Sequence, residues 1–177
     1  MKLNRIMMFV AAATMLFAAC SKDEDKSTTP NIGDNQLFYN GTTYQANGAE
    51  GNIDANNVQM GFSGVKDGVN FFVDCHVQNV SNRVYDLTKE DAEHMIHFHV
   101  VVEGPAAQSQ EDIFDLQYQN SPHLWYFLNG DNVSGSSAFK NGTAETSLTD
   151  STITLNVSGT LVNGKALGFR VVVPRVE

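Results

Sequence analysis

The clearest candidates for chemistry in this chain are two histidines spaced two residues apart. His97 and His99 flank Phe98 in a stretch where apolar and polar residues alternate, which predicts a β-strand over 96–103. Residues at positions i and i+2 of a strand point to the same face, so both imidazoles share one side of the sheet. Imidazoles at this spacing can chelate a divalent metal such as zinc.

A second predicted strand, over 69–77, would complete such a site. It alternates in the same way and places Asp74 and His76 on its polar face. If it pairs with 96–103, the two polar faces converge, and imidazole with carboxylate suits Zn²⁺ or a similar divalent ion. The alternatives are an ordinary solvent-facing strand surface and a pH-responsive patch. No other cofactor is indicated by the sequence.

Aromatic side chains provide a candidate surface for ligand stacking. Trp125 and Tyr126 lie in a segment, 123–128, that is apolar on both strand phases, and Tyr118 precedes it. Tyrosine and tryptophan combine an apolar body with a polar tip, which suits stacking on a sugar ring. Packing in the core is the alternative for these aromatic residues.

Familiar catalytic motifs are missing from the sequence. It contains no Gly-x-Ser-x-Gly elbow, phosphate-binding loop, His-Glu-x-x-His or paired-cysteine zinc motif. No pair of acidic residues has the apolar surroundings that raise one pKa for glycosidase chemistry. The carboxylates that lie in polar connecting segments are Glu90, Asp91, Glu93, Glu111 and Asp112. The sequence therefore favours a non-enzymatic function without excluding an enzyme.

The elements that position these residues are predicted to be antiparallel strands. Alternation with one wet face, together with Asn-Gly and Asp-Gly turns, predicts an all-β fold of about eight to ten hairpin-linked strands. An antiparallel β-sandwich and a partly open barrel both fit this pattern. One short helix is predicted over 88–94, with Thr88 as its cap. The turn pairs are Asn40-Gly41, Asn47-Gly48, Asp67-Gly68, Asn129-Gly130, Asn141-Gly142 and Asn163-Gly164.

The N-terminus has the features of an export segment. Lys2 and Arg5 precede a largely apolar run, 6–19, that ends in two alanines before Cys20. As a helix this run would rise about 21 Å, short of the roughly 30 Å hydrocarbon core, so no permanent span is expected. Ala-Ala-Cys resembles the end of a bacterial lipoprotein signal, which implies a lipid on Cys20. A plain secretory signal is the alternative.

Two further short motifs resemble features of exported Bacteroidota proteins. Residues 22–25, Lys-Asp-Glu-Asp, are similar to the acidic tag that follows the lipidated cysteine of surface lipoproteins. This resemblance implies the outer face of the outer membrane, with membrane contact through the N-terminal lipid alone. A solvated charge run in a linker is the alternative. Asp150-Ser151-Thr152 resembles an O-glycosylation site, which makes Ser151 a candidate for modification.

The chain is predicted to have three parts. A signal peptide covers 1–19, the lipidated cysteine and a flexible acidic tether cover 20–34, and a single β domain covers 35–177. Without the signal peptide, nine basic and 20 acidic residues remain, a balance that argues against nucleic acid as a partner. Cys75 falls on an apolar strand phase and is expected to be a buried structural thiol rather than a nucleophile.

Taken whole, the chain resembles the small β-rich surface lipoproteins of gut Bacteroidota. The expected function is a non-enzymatic binding or assembly module at the cell surface, with a glycan, a peptide or a partner lipoprotein as its ligand. The alternatives are a metal-binding protein that uses the strand histidines and a purely structural envelope lipoprotein.

Overall fold

The computed structural model describes residues 30–54, 56–104, 113–121 and 138–175 of the 177-residue chain. These ranges contain eleven β-strands and no helix. None of their residues belongs to a helix long and apolar enough to cross a membrane. In chain order the strands are β1 (Gln36–Tyr39), β2 (Thr42–Gln45), β3 (Glu50–Asp54), β4 (Asn57–Lys66), β5 (Val69–Val77), β6 (Arg83–Asp86), β7 (Ile96–Glu103), β8 (Ile113–Gln119), β9 (Phe139–Leu148), β10 (Thr152–Leu161) and β11 (Ala166–Pro174).

The strands form two antiparallel sheets. The first sheet has the order β2-β1-β11-β10-β9-β6, and the second has the order β3-β4-β5-β7-β8. Neither sheet closes on itself within the described residues, so the fold is a β-sandwich and not a barrel. The predicted all-β antiparallel fold is thus confirmed, and the choice that the sequence left open is settled in favour of the sandwich.

Three of the predicted turn pairs form hairpins. Asn40-Gly41 joins β1 to β2 and Asp67-Gly68 joins β4 to β5, with positive φ at both residues of each pair. This conformation is the one that a tight two-residue hairpin requires. At the turn between β10 and β11, Gly164 has a φ of 83° and donates its N–H to the Leu161 carbonyl. Asparagine, aspartate and glycine tolerate these backbone angles better than other residues do.

The other pairs do not form hairpins in the described residues. Asn47-Gly48 links β2 to β3, which belong to different sheets. Asn141-Gly142 lies inside β9, so the prediction of a turn there is wrong. Gly142 faces Gly159 across the ladder, and a β-carbon on Gly142 would lie 2.9 Å from the Gly159 α-carbon. Gly142 thus allows two strands to approach closely and does not form a turn. Asn129-Gly130 lies outside the described residues.

The helix predicted over 88–94 is also wrong, because two aspartates bond the local backbone. The Asp86 carboxylate accepts hydrogen bonds from the Thr88 N–H at 3.0 Å and from the Thr88 hydroxyl at 2.6 Å. The Asp91 carboxylate accepts from the N–H groups of Glu93 and His94, both at 3.0 Å. Such side-chain bonds offer the backbone an alternative to helical bonding, and here they produce consecutive turns.

The core between the sheets is centred on aromatic rings. Phe98 of β7 is fully buried and stacks on Tyr118 of β8, with ring centroids 4.5 Å apart. Phe169 and Phe139 of the first sheet meet the Phe98 ring edge-on at 5.1 and 6.2 Å. Stacked and edge-to-face contacts of this kind add specific attraction to the burial of apolar surface.

The strands of the two sheets cross at a steep angle. On β11, Val173 lies against Gly51 of β3, whereas Phe169 contacts Phe98 of β7. Three strand spacings separate β3 from β7, about 14 Å, and four residues of β11 span about 13 Å. Since the two lengths match, β11 runs across the strands of the second sheet, as in orthogonal sandwiches. The histidines lie on the outer face of the second sheet, on the side opposite to β11.

Candidate functional site

The predicted pairing of the two polar strand faces is confirmed. β5 and β7 are hydrogen-bonded neighbours, with Asp74 opposite His99 and His76 opposite His97. All four side chains belong to the outward phase of the second sheet, because the intervening residues of both strands are buried in the core. The sequence could predict this convergence but not the register.

Each carboxylate near these histidines has its own imidazole partner. Asp74 Oδ2 lies 3.3 Å from His76 Nε2, and Asp115 Oδ1 of β8 lies 2.7 Å from His99 Nε2. Partial burial raises the pKa of Asp74, but the hydrogen bonds of His76 and Gln59, with the charges of His76 and His97, together outweigh it and leave the pKa below the ordinary value. Asp74 is therefore an ionised acceptor at neutral pH.

His97 differs from its neighbours because it is buried, with only 6% of its surface exposed. Its ring lies 5.8 Å from the His76 ring. Burial, followed by the proximity of His76, lowers the pKa of His97 to about 4. This imidazole is consequently neutral at physiological pH.

The four predicted metal ligands share a face, but the ligand set expected from their spacing does not form. Across the described parts of the chain, no three histidine, cysteine, aspartate or glutamate side chains are grouped so that they could hold a metal ion. Asp74 contacts His76 and Asp115 contacts His99, so each carboxylate has a different imidazole partner and the side chains do not converge on one point. A chelating site requires several ligands directed at one point.

The predicted stacking residues are not brought together by the described structure. Tyr118 is fully buried, stacks on Phe98, and donates its hydroxyl to the Leu87 carbonyl at 3.2 Å. The role in ligand stacking predicted for Tyr118 is therefore corrected to core packing. Trp125 and Tyr126 lie outside the described residues.

The remaining predicted residues fall in three different places. Cys20 lies outside the described residues. Ser151 is exposed in the turn between β9 and β10, where its N–H donates to the Thr149 hydroxyl at 3.2 Å. Cys75 is fully buried, as expected of a structural thiol. Burial, with a contribution from the nearby Asp74 charge, raises the pKa of its thiol.

A groove on the outer face of the second sheet was not predicted. It encloses about 740 Å³ and runs across β3, β4 and β5, next to the histidine-bearing part of the face. A concave surface of this volume is typical of ligand sites. It is lined by Asn47, Gly48, Ala49, Glu50, Gly51, Asn52, Gln59, Met60, Gly61, Phe62, Ser63, Phe72, Val73 and Asp74.

The register of the strands explains why the surface is hollow. Gly61 of β4 lies between Glu50 of β3 and Asp74 of β5, so a bare backbone position separates two carboxylates. One pair further along, Ser63 lies opposite Phe72. Small residues on the central strand thus leave space beside larger residues on β3 and β5, and the backbone of β4 forms the floor of the groove.

Among the residues that the structure describes, the groove is acidic and has no cationic side chain in its lining. Its described lining includes the carboxylates of Glu50 and Asp74 but no lysine, arginine or histidine. Phe72 is the large apolar side chain that reaches solvent there, with 38% of its surface exposed. His99 meets the Phe72 ring at a centroid distance of 5.7 Å and nearly at a right angle. The groove therefore offers hydrogen-bond acceptors, amides and one aromatic ring.

Comparison with known proteins adds no relative to this description. No protein-family model matches the chain, and no curated protein or solved structure is significantly similar to it. The function of the site is therefore inferred from its own geometry.

Proposed function

We propose that this protein is a lipid-anchored, non-enzymatic binding module on the outer face of the outer membrane. Its ligand, a glycan, a peptide or a partner protein, occupies the groove across β3, β4 and β5. The observation that carries the proposal is the groove itself, about 740 Å³ of concave surface lined by amides, two carboxylates and the exposed Phe72.

The anchor is supported by the sequence around Cys20. A short apolar run ends in Ala18-Ala19-Cys20 and is followed at once by an acidic, polar segment. Residues 21–34 follow as the tether, and its end is bonded to the domain, where Arg170 Nε donates to Asp34 Oδ1 at 2.7 Å. A domain on such a tether samples ligands close to the membrane while its own surface stays free of lipid.

The electrostatics of Asp74 disfavour a role for this groove residue as a general acid. The lowered pKa of Asp74 keeps this carboxyl ionised at neutral pH, so it accepts hydrogen bonds but is a poor proton donor. A general acid that works near neutral pH instead needs a raised carboxyl pKa.

Metabolic labelling with a fatty acid tests the anchor. We expect label and membrane association to be lost in Cys20→Ala and retained in Cys75→Ala, the matched control at the other cysteine. An unmodified N-terminal peptide in the mature protein, found by mass spectrometry, would reject lipid anchoring.

A groove-filling substitution tests the binding site. Ser63 is exposed on the outer phase of β4, and Ser63→Trp places an indole in the groove. Thr43→Trp, at an exposed position of β2 in the other sheet, is the matched control. We expect capture on oligosaccharide and peptide arrays, or crosslinking to a membrane partner, to be lost in Ser63→Trp alone. If all three assays are unaffected by the indole, the groove is not the binding site.

A further inference from the structure

We infer that the ligand of the groove is an uncharged oligosaccharide, with one sugar ring against Phe72 and its hydroxyl groups bonded by Asp74 and Gln59. This inference rests on the proposed function and names its ligand class.

The charge of the lining excludes anionic ligands first. Glu50 and Asp74 stand on either side of Gly61, two strand spacings or about 10 Å apart. No lysine or arginine lies among the described residues of the lining to neutralise a phosphate, sulfate or uronate group. Recognition of such groups relies on guanidinium or ammonium donors. An anion placed here would meet two carboxylates, and the nearby His76 is already engaged with Asp74.

The polar groups of the groove match hydroxyl groups, which both donate and accept. Asp74 is an acceptor held in place by His76, and Gln59 Nε2 lies 3.5 Å from Asp74 Oδ1. The Gln59 amide adds a donor and an acceptor beside that carboxylate. Neighbouring hydroxyls of one sugar ring could therefore bond both side chains together. Asn52, directly opposite Gln59 on β3, extends the same row.

Phe72 supplies the apolar contact that a sugar ring requires. Its ring stands beside the polar residues of the groove, next to the open space above Ser63, and its edge-on contact with His99 restricts its orientation. An aromatic ring exposed beside a polar groove is typical of a ligand contact, because its apolar face gains from being covered. One ring beside a row of amides and carboxylates fits the alternation of apolar and hydroxyl-bearing faces in a sugar.

The shape of the groove floor disfavours an extended peptide as the ligand. A peptide bound along the sheet needs a series of pockets for alternate side chains. The outward residues of β4 that line the groove are Gln59, Gly61 and Ser63, which form a shallow polar floor. A single sugar ring that is bonded at its edge fits this shallow floor better than a row of peptide side chains does.

Calorimetric titration of the purified protein with four sets of probes tests the inference. The sets are neutral oligosaccharides of common hexoses, pentoses and N-acetylhexosamines; uronic-acid or sulfated oligosaccharides; uncharged extended peptides; and a polyamine. We expect at least one neutral oligosaccharide to bind and its Kd to rise at least tenfold in Phe72→Ala and in Asp74→Asn.

Two substitutions on the same face serve as matched controls. Val101 lies opposite Phe72 on β7, and Asp115 bonds His99, yet neither lines the groove. We expect Val101→Ala and Asp115→Asn to change the Kd less than twofold. Circular dichroism and thermal unfolding of all four variants check that the fold is retained.

The outcomes separate this inference from the proposed function. Peptide or polyamine binding that is lost in Phe72→Ala or Asp74→Asn overturns the carbohydrate inference and leaves a binding groove in place. Binding of the acidic oligosaccharides in preference to the neutral ones overturns it too. If no probe binds at millimolar concentration the inference fails, and the proposed function fails with it only if Ser63→Trp also leaves array capture and crosslinking unchanged.

Discussion

Gly61 of β4 lies so close to the carbonyl oxygen of Val73 on β5 that a β-carbon at position 61 would overlap it. The α-carbon of Asp74 would be only 3.2 Å from the same β-carbon. Both obstacles are backbone atoms, which cannot rotate away as a flexible side chain can. The floor of the groove and the pairing of β4 with β5 therefore depend on one residue without a side chain.

A methyl group at this position should destabilise the fold. We expect Gly61→Ala to lower the free energy of unfolding by about 1–3 kcal/mol, the usual cost of overpacking. Gly48→Ala is the control, since nothing lies within 4 Å of a β-carbon there. Urea denaturation of both variants measures the difference. Equal stability of the two variants would show that the strands separate easily at Gly61.

The stability of the protein should fall as the pH drops from 6.5 towards 4, partly because of His97. Its pKa is about 4 in the folded state and 6.5 ordinarily, so in this range the unfolded chain binds a proton that the folded chain does not. Stability from this group is complete above pH 6.5 and is lost as the pH falls. We expect a loss of about 2–3 kcal/mol between pH 7.5 and pH 4.5.

His97→Gln isolates this contribution, because glutamine cannot titrate. Denaturant unfolding of both proteins at the two pH values gives the difference, because the two chains are identical at every other position. An equal loss of stability in the variant and the natural protein would contradict the assignment.

The free energy of unfolding should depend on the shape of the aromatic side chains at the centre of the core. We expect Phe98→Leu to cost about 1–2 kcal/mol, since it removes a ring that stacks on Tyr118 and meets Phe169 edge-on. Phe72→Leu, on the exposed face of the neighbouring strand, should change the free energy of unfolding by less than about 0.5 kcal/mol. Thermal and urea unfolding of the pair measure this contrast. A larger loss at Phe72 would mean that its ring has a structural role.

The histidine face should not bind zinc stoichiometrically. His97 is buried, and the nearby carboxylates are engaged with separate imidazoles, Asp74 with His76 and Asp115 with His99. We expect elemental analysis after equilibration with zinc and gel filtration to give the same low content for the natural protein and for His97→Ala/His99→Ala. Near-stoichiometric zinc that disappears in the double variant would restore the metal-binding alternative.

Much of the sandwich follows from local sequence signals. Asn40-Gly41 and Asp67-Gly68 supply backbone angles that few other residues adopt, so these pairs, with strand-like residues on both sides, predicted their hairpins. The alternation in 69–77 and 96–103 predicted two strands with a shared polar face. The register between them could not be predicted, because no tight turn connects β5 to β7.

The errors have physical causes that single-sequence patterns do not display. Asn141-Gly142 has the composition of a turn, but its glycine is needed for contact with Gly159 on a distant strand. Tyr118 resembles a surface aromatic because polar residues surround it in the sequence, yet the ladder to β7 places it over Phe98. Tertiary contacts decided both positions.

The groove left a signal in the sequence that was not recognised. Gly61 and Ser63 occupy the outward phase of β4, while Phe72 and Asp74 occupy that of β5. Only the register shows that the small residues lie directly opposite the large ones. In this chain the signal consists of a glycine on the polar phase of one strand and an outward phenylalanine on the next.

The order of strands in the first sheet couples its folding to the completion of synthesis. β11 is hydrogen-bonded to β1 on one side and to β10 on the other, and Gln36 pairs with Arg170. Contacts between residues so far apart in the chain form slowly. In a chain that is synthesised from its amino terminus, β1 and β10 both keep an open edge until residues 166–174 are made. A premature stop before β11 would thus split the sheet in two, leaving a pair of adhesive edges that favour aggregation.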